Sequence, residues 1–359
     1  MLAVLSQASQ AQILIGQAAG FTGTVSGSVN EAADGAKLYI NNVNATGGMN
    51  GQKIELISLD DKFDPKLALE NGRQLIEDKN VLAMFLTRGT PQTEALLPLL
   101  DKYGVPLIGP SSGAMVFHKP VKKRVFNVRG TYQHEVEKAV AYLHARGITR
   151  IGVVYADDSF GADGLIGAQS GLAAVKLAAA VLEKFNRTTP DFAAIAAKIV
   201  RTDVRAVLMV ASGQAVIDGV KAFRAADSST QIMTLPNNAS AAFVKSMGDN
   251  ARGVIITQAF PNENSIAILM VKEARDMAKV KGINEVSPAM LEDFAAAKVL
   301  VESLRRAGPK PTRDKLQAAL ENLHKFDLGG LEVSYAPDDH TGLDFVDLSI
   351  IGNDLKFKR

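Results

Sequence analysis

Eight short apolar runs recur along this chain: Ile13–Gly16, Ile54–Leu59, Leu82–Leu86, Leu107–Gly109, Ile151–Tyr155, Ala206–Val210, Ile232–Leu235 and Val254–Thr257. Most are separated by stretches with helical periodicity. Ala68, Leu69, Gly72, Leu75 and Ile76 fall on one helix face after Pro65. Val136, Ala139, Val140 and Leu143 fall on another, with Gly147 where a C-cap glycine belongs. A strand that is apolar on both sides has to be covered on both sides. Near-continuous apolar strands alternating with helices therefore predict α/β architecture with parallel sheets sandwiched between helices. The 359 residues are too many for one ordinary core and suit two such sheets.

Composition removes several classes of function. Apolar residues make up 47% and charged residues 22%, a globular balance. The net charge is +2, and the basic runs "KPVKKR" (Lys119–Arg124) and "KFKR" are short, so nucleic acid is not an expected partner. No apolar run reaches the ~20 residues of a membrane-spanning helix. There are no cysteines, which rules out disulfides, thiolate metal sites and a cysteine nucleophile. The five histidines, His118, His134, His144, His324 and His340, show no ligand spacing. "PDDHTG" (Pro337–Gly342) reads as a surface turn rather than a metal loop, and "NATGGMNGQK" (Asn44–Lys53) as a turn rather than a phosphate cradle. Neither a metal nor a cofactor is called for, and no nucleophile elbow or Walker motif is present.

The N-terminal "MLAVLSQASQAQ" has two readings. Ser9 and Ala11 fit the minus-three and minus-one positions of a secretory cleavage site, with a mature start near Gln12. The other reading is a disordered start over residues 1–11.

In open parallel sheets, ligands sit beyond the carboxyl ends of the strands. Leu82–Leu86 runs into "TRGTPQTEALL", where Thr90 before Pro91 reads as an N-cap followed by the first helical residue. Pro98 then predicts a kink, or a helix that starts later than Pro91. "VPLIGPSSGAMVF" repeats the plan, with Ser111, Ser112 and Gly113 after a strand. Both read as helix entrances, where free N–H groups attract anions, and Arg88 lies beside the first. Phe160 and Gly161 mark a third strand-end loop. Asp157 and Asp158, before them, fit capping of the next helix better than a catalytic pair.

From Ile13 to Arg359 these segments resemble, in order, the type I periplasmic binding proteins of the branched-chain amino acid (Leu/Ile/Val) family of ABC importers. The stretches that carry the likeness are "ILIGQAAGFTGTVSGSVNEAADGAKLYINN", "GVPLIGPSSGA", "VFNVRGTY", "RIGVVYADDSFGADGL", "AVLMVASGQ" and "EDFAAAKVLVESLRRAG". The resemblance implies a non-catalytic protein with two Rossmann-like three-layer lobes joined by three crossovers and closing on a ligand. Lobe 1 would hold residues 12–128 and 260–330, and lobe 2 residues 129–259 and 331–359. It favours the export-signal reading of residues 1–11 and a periplasmic location, with an ABC permease in the inner membrane as partner.

By the same resemblance, a ligand carboxylate would rest on Arg88, Gly89, Thr90, Ser111, Ser112 and Gly113 of lobe 1. Tyr132, Phe160, Ser212, Asn237 and Asn238 would face it from lobe 2, with Phe21 a nearby addition. Amino-acid binders of the family place an acid near the strand ending at Leu235. Here the chain reads "LPNNASAAF", and an amide cannot pair an ammonium as a carboxylate does. The expected ligand is a small aromatic or branched carboxylate, or an amino acid. The alternatives are a ligand-sensing receptor or regulator lobe of the same fold, which shares every residue argument, and a dehydrogenase. Against the dehydrogenase, the glycines of "GQAAGFTG" are wrongly spaced for a dinucleotide fingerprint.

Overall fold

The computed structural model describes residues 12–227 and 229–359, so the expected signal segment 1–11 lies outside the described residues. A first sheet is wholly parallel: β1 (Ile13–Ala19), β2 (Ile54–Asp60), β3 (Ala83–Phe85), β4 (Leu107–Ile108) and β5 (Val125–Phe126), in the order β2-β1-β3-β4-β5. A second sheet contains β6 (Ile151–Ala156), β7 (Val181–Phe185), β8 (Ala206–Val210), β9 (Gln231–Thr234) and β10 (Ile255–Gln258). After a two-stranded ribbon of β11 (Phe326–Asp327) and β12 (Glu332–Val333), the chain returns to it with β13 (Asp347–Ile351) and β14 (Phe357–Lys358), giving the order β14-β13-β10-β9-β8-β6-β7. β13 and β14 are antiparallel, an edge ribbon on an otherwise parallel sheet.

Three apolar layers follow from the strand pattern. One face of the first sheet (Ile15, Phe85, Ile108, Phe126) packs on α1 (Ser26–Ala45), α9 (Leu269–Val280), α10 (Pro288–Ala307) and α11 (Arg313–Glu321). Its other face (Met84, Leu107, Val125) meets α2 (Pro65–Arg73) and α3 (Thr90–Tyr103). That layer runs on through α4 (Tyr132–Ala145) and α5 (Ser159–Ala174) to Val153 and Leu208 of the second sheet. The far face of the second sheet (Val154, Val207, Met209, Ile256) is covered by α6 (Phe192–Arg201), α7 (Gln214–Ala226) and α8 (Ala241–Met247). The result is two α/β/α lobes, with the chain passing between them after β5, after β10 and before β13. α10 is buried nearly all round, as a helix apolar on every side has to be.

Several expectations are corrected. α3 begins at Thr90 and continues through Pro98 to Tyr103. Its N-cap is Gly89 rather than Thr90, because φ +93° suits glycine and a Cβ there would sit 2.7 Å from the Phe63 ring. Ser111–Gly113 leads not into a helix but into a single 3₁₀ turn, Met115–Phe117. Residues 331–343 were expected with the second lobe. Instead Val333, Tyr335 and Leu343 lie in the core of the first lobe, and Tyr335 packs edge-on against Phe126 at 5.4 Å. The expected turn is present, with Pro337, Asp338 and Asp339 exposed, but His340 beside it is not on the surface. It is buried, stacked on Phe126 at 4.0 Å, because an aromatic ring gains more from that apolar floor than from solvent.

Candidate functional site

In each sheet, strand order reverses once around the first strand: between β1 and β3 in the first, between β6 and β8 in the second. Crevices at such reversals, beyond the carboxyl strand ends, are where α/β sheets bind ligands. Here the two crevices face each other. Gly89, Thr90, Pro91, Arg88, Ser111 and Phe63 from the first lobe, with Tyr132, Phe160, Arg187, Ser212 and Asn237 from the second, line one narrow gap. Eight of the residues singled out from the sequence line this gap. None of the lining residues is acidic.

Arg88 is buried and already engaged. It donates to the Ser111 hydroxyl at 2.8 Å and, across the gap, to the Asn237 carbonyl at 2.6 Å. Ser111 in turn donates to Glu292 at the start of α10, 2.7 Å away. Arg129 donates to Glu292 at 3.3 Å and to Glu135 of α4 at 2.5 Å, and its guanidinium lies 4.8 Å from the Tyr132 ring centroid. Burial works against the Arg129 charge, but Glu135 and Glu292 more than offset it and hold its pKa up. Burial pushes Glu135 up to about 7 despite Arg129. Burial, and then the neighbouring Glu292, push Asp293 well above the usual carboxylate range. A buried charge chain, Arg88–Ser111–Glu292–Arg129–Glu135, thus underlies the gap, spans both lobes, and fixes the Arg88 fork in place.

Beneath the lining, the Thr90 and Ser112 hydroxyls bond each other at 2.8 Å. The Ser112 side chain and Gly113 are buried below the gap rather than in its wall. A Cβ on Gly113 would lie 2.6 Å from the Gly130 carbonyl oxygen, so the crossover from β5 presses directly on this turn. Among the described residues, the backbone N–H groups of Thr90, Ser112 and Gly113 donate to no hydrogen bond. Buried N–H groups are almost always paired, which sets these three apart.

Two expected residues stand apart. Phe21 packs with Ala19, Val25, Val29 and Phe63 and does not reach the lining, because the turn after β1 folds it onto α1. Asn238 is wholly buried. It donates to Ala211 and Thr234 and accepts from Gly213 N, which pins the loops after β8 and β9. Asn237 donates to the Ser212 hydroxyl at 2.8 Å and stays in the wall. Asp158 caps α5 by accepting from Gly161 N.

Sequence reasoning missed Phe63 and Arg187. Both lie just beyond strand ends, after β2 and β7. β7 escaped notice because its burial alternates, as an edge strand's does, so "VLEKF" has no continuous apolar run.

A family model described as periplasmic binding protein matches residues 12–344. The chain belongs to the periplasmic binding protein family. Members of this family are solute-binding proteins and not enzymes. A crystal structure of a substrate-binding periplasmic protein from Ralstonia solanacearum superposes with a TM-score of 0.89 at 29% identity, covering 96% of this chain and 99% of that one. The Leu/Ile/Val-binding protein homolog 3 of Brucella melitensis is 24% identical over 89% of this chain and 85% of its own length. An amino acid binding protein of Pseudomonas aeruginosa is 24% identical over 54% of this chain, and the chain spans about half of that relative, 52%.

Proposed function

We propose that this periplasmic binding protein is exported and serves an ABC permease of the inner membrane by trapping a small organic carboxylate, aromatic or branched, between its lobes. The observation that carries the reading is the chemistry of the gap: two arginines, three aromatic rings and no acidic residue in its walls. The ligand's carboxylate rests on the unpaired N–H groups of Thr90, Ser112 and Gly113, beside the Thr90 hydroxyl. Phe63, Tyr132 and Phe160 enclose its apolar body. An amino acid would bring an ammonium group into a wall with two guanidiniums and no counter-charge, which costs affinity. The relatives named for leucine, isoleucine and valine make amino acids the natural comparison.

Calorimetry with leucine and valine on one side, and 4-methyl-2-oxopentanoate and phenylpyruvate on the other, tests this. The keto acids are expected to bind at least about tenfold tighter than the amino acids of matching side chain, since the difference between them is one unpaired buried charge. Tighter binding of leucine than of its keto acid would refute the reading.

A further inference from the structure

We propose that Arg187 recognises a second carboxylate on the ligand, so that the solute trapped is a small dicarboxylate; this rests on the carboxylate reading of the gap. Arg187 lies in the loop after β7 and lines the same gap as Arg88, from the opposite lobe. Its Nε donates to Asp158, and Asp158's other oxygen is taken by Gly161 N at the start of α5. The acid that orients the guanidinium is therefore itself anchored. The guanidinium carbon stands 5.6 Å from the ring centroid of Phe63 in the first lobe and 5.6 Å from that of Phe160 in the second. It thus neighbours one ring from each lobe. Its terminal nitrogens donate to no hydrogen bond among the described residues, and the side chain keeps 24% of its exposure.

An arginine fixed at Nε and flanked by aromatic faces presents its remaining N–H groups as a planar fork, the geometry that a carboxylate accepts in two parallel bonds. A monoacid seated on the first-lobe rim would leave that fork facing ring carbons. A diacid of matching length satisfies both ends and touches both lobes, and a ligand favours closure only through contacts in both.

The test is calorimetry on the full chain with matched pairs, adipate against hexanoate and terephthalate against benzoate, for the natural protein, Arg187→Gln and Arg187→Lys. Thermal melting confirms that the variants fold. In the natural protein one diacid is expected to bind at least about tenfold tighter than its monoacid. Arg187→Gln should erase that preference by lowering diacid affinity far more than monoacid affinity, and Arg187→Lys should restore part of it, because charge returns without the fork. Equal binding within both pairs by the natural protein overturns the inference and leaves the carboxylate reading standing. So does a preference that survives Arg187→Gln, or an equal loss for monoacid and diacid, which would make Arg187 a cover over the gap and not a reader of the ligand. Failure of all four acids to bind overturns both.

Discussion

At the scale of single residues, this site is governed by what burial does to charge. Asp61, in the turn after β2, is fully buried; its Oδ1 accepts from Phe63 N at 2.8 Å and its Oδ2 has no hydrogen-bond partner. Burial pushes its pKa up to about 7, with Asp60 and Asp64 adding to the shift. The folded chain therefore keeps this proton to about pH 7, whereas the unfolded chain releases it near the ordinary value of 3.8. Between those limits the folded state binds more protons, so raising the pH favours unfolding. The contribution is fully present below the unfolded value and is lost as pH rises through about 7. Asp61→Asn keeps the acceptor for Phe63 N and removes the titration. Chemical denaturation at pH 5 and pH 8 should show the natural protein losing on the order of 2 kcal/mol more than the variant between the two conditions. An equal loss in both would show that Asp61 ionises normally. The turn it anchors is the one that presents Phe63 to the gap.

At the scale of elements, the packing of α1 on α10 sets where the rim stands. Gly35 of α1 meets the backbone of α10: a Cβ there would lie 2.1 Å from the Met290 carbonyl oxygen. α10 also carries Glu292, which receives Ser111, and α1 carries Ser28 and Glu31, which reach α8. Gly35→Ala has to push the two helices apart, at a cost of about 1–3 kcal/mol. The urea midpoint should fall accordingly, and an unchanged midpoint would mean that the helices slide past each other without strain. Elements were also where the sequence was most readable. All eight apolar runs proved to be strands of the two sheets; seven are central, where a parallel strand leaves no polar face, and the eighth, β2, is a half-exposed edge. The strands that were not anticipated are short or lie at edges: β5 has two residues, β7 is half-exposed, and β13 and β14 form the antiparallel edge. The strand-end rule located most of the gap's lining. It could not show what each side chain bonds to, since Arg88 and the Asn237 carbonyl are 149 residues apart and meet only in the folded chain.

At the scale of the whole molecule, the two lobes are joined by an apolar layer, by the buried chain from Arg88 to Glu135, and by further polar contacts. Ser28 and Ser240 bond at 2.9 Å, and Gln214 N donates to the Thr24 carbonyl at 2.9 Å. Both oxygens of Glu31 accept from the first turn of α8, from Ala241 N at 2.7 Å and Ala242 N at 2.8 Å. Met115 N donates to Asp163 at 3.0 Å. Water would serve each of these groups if the lobes stood apart, so each contact contributes only about 0.5–1.5 kcal/mol. A ligand that binds both lobes adds its own contacts to these and so favours the closed arrangement. The most direct measurement is a crystal structure of the protein saturated with whichever carboxylate binds tightest in calorimetry. The account predicts that carboxylate between the lobes, its oxygens within hydrogen-bond reach of the N–H groups of Thr90, Ser112 and Gly113. A ligand held elsewhere, with those three groups left vacant, would contradict it.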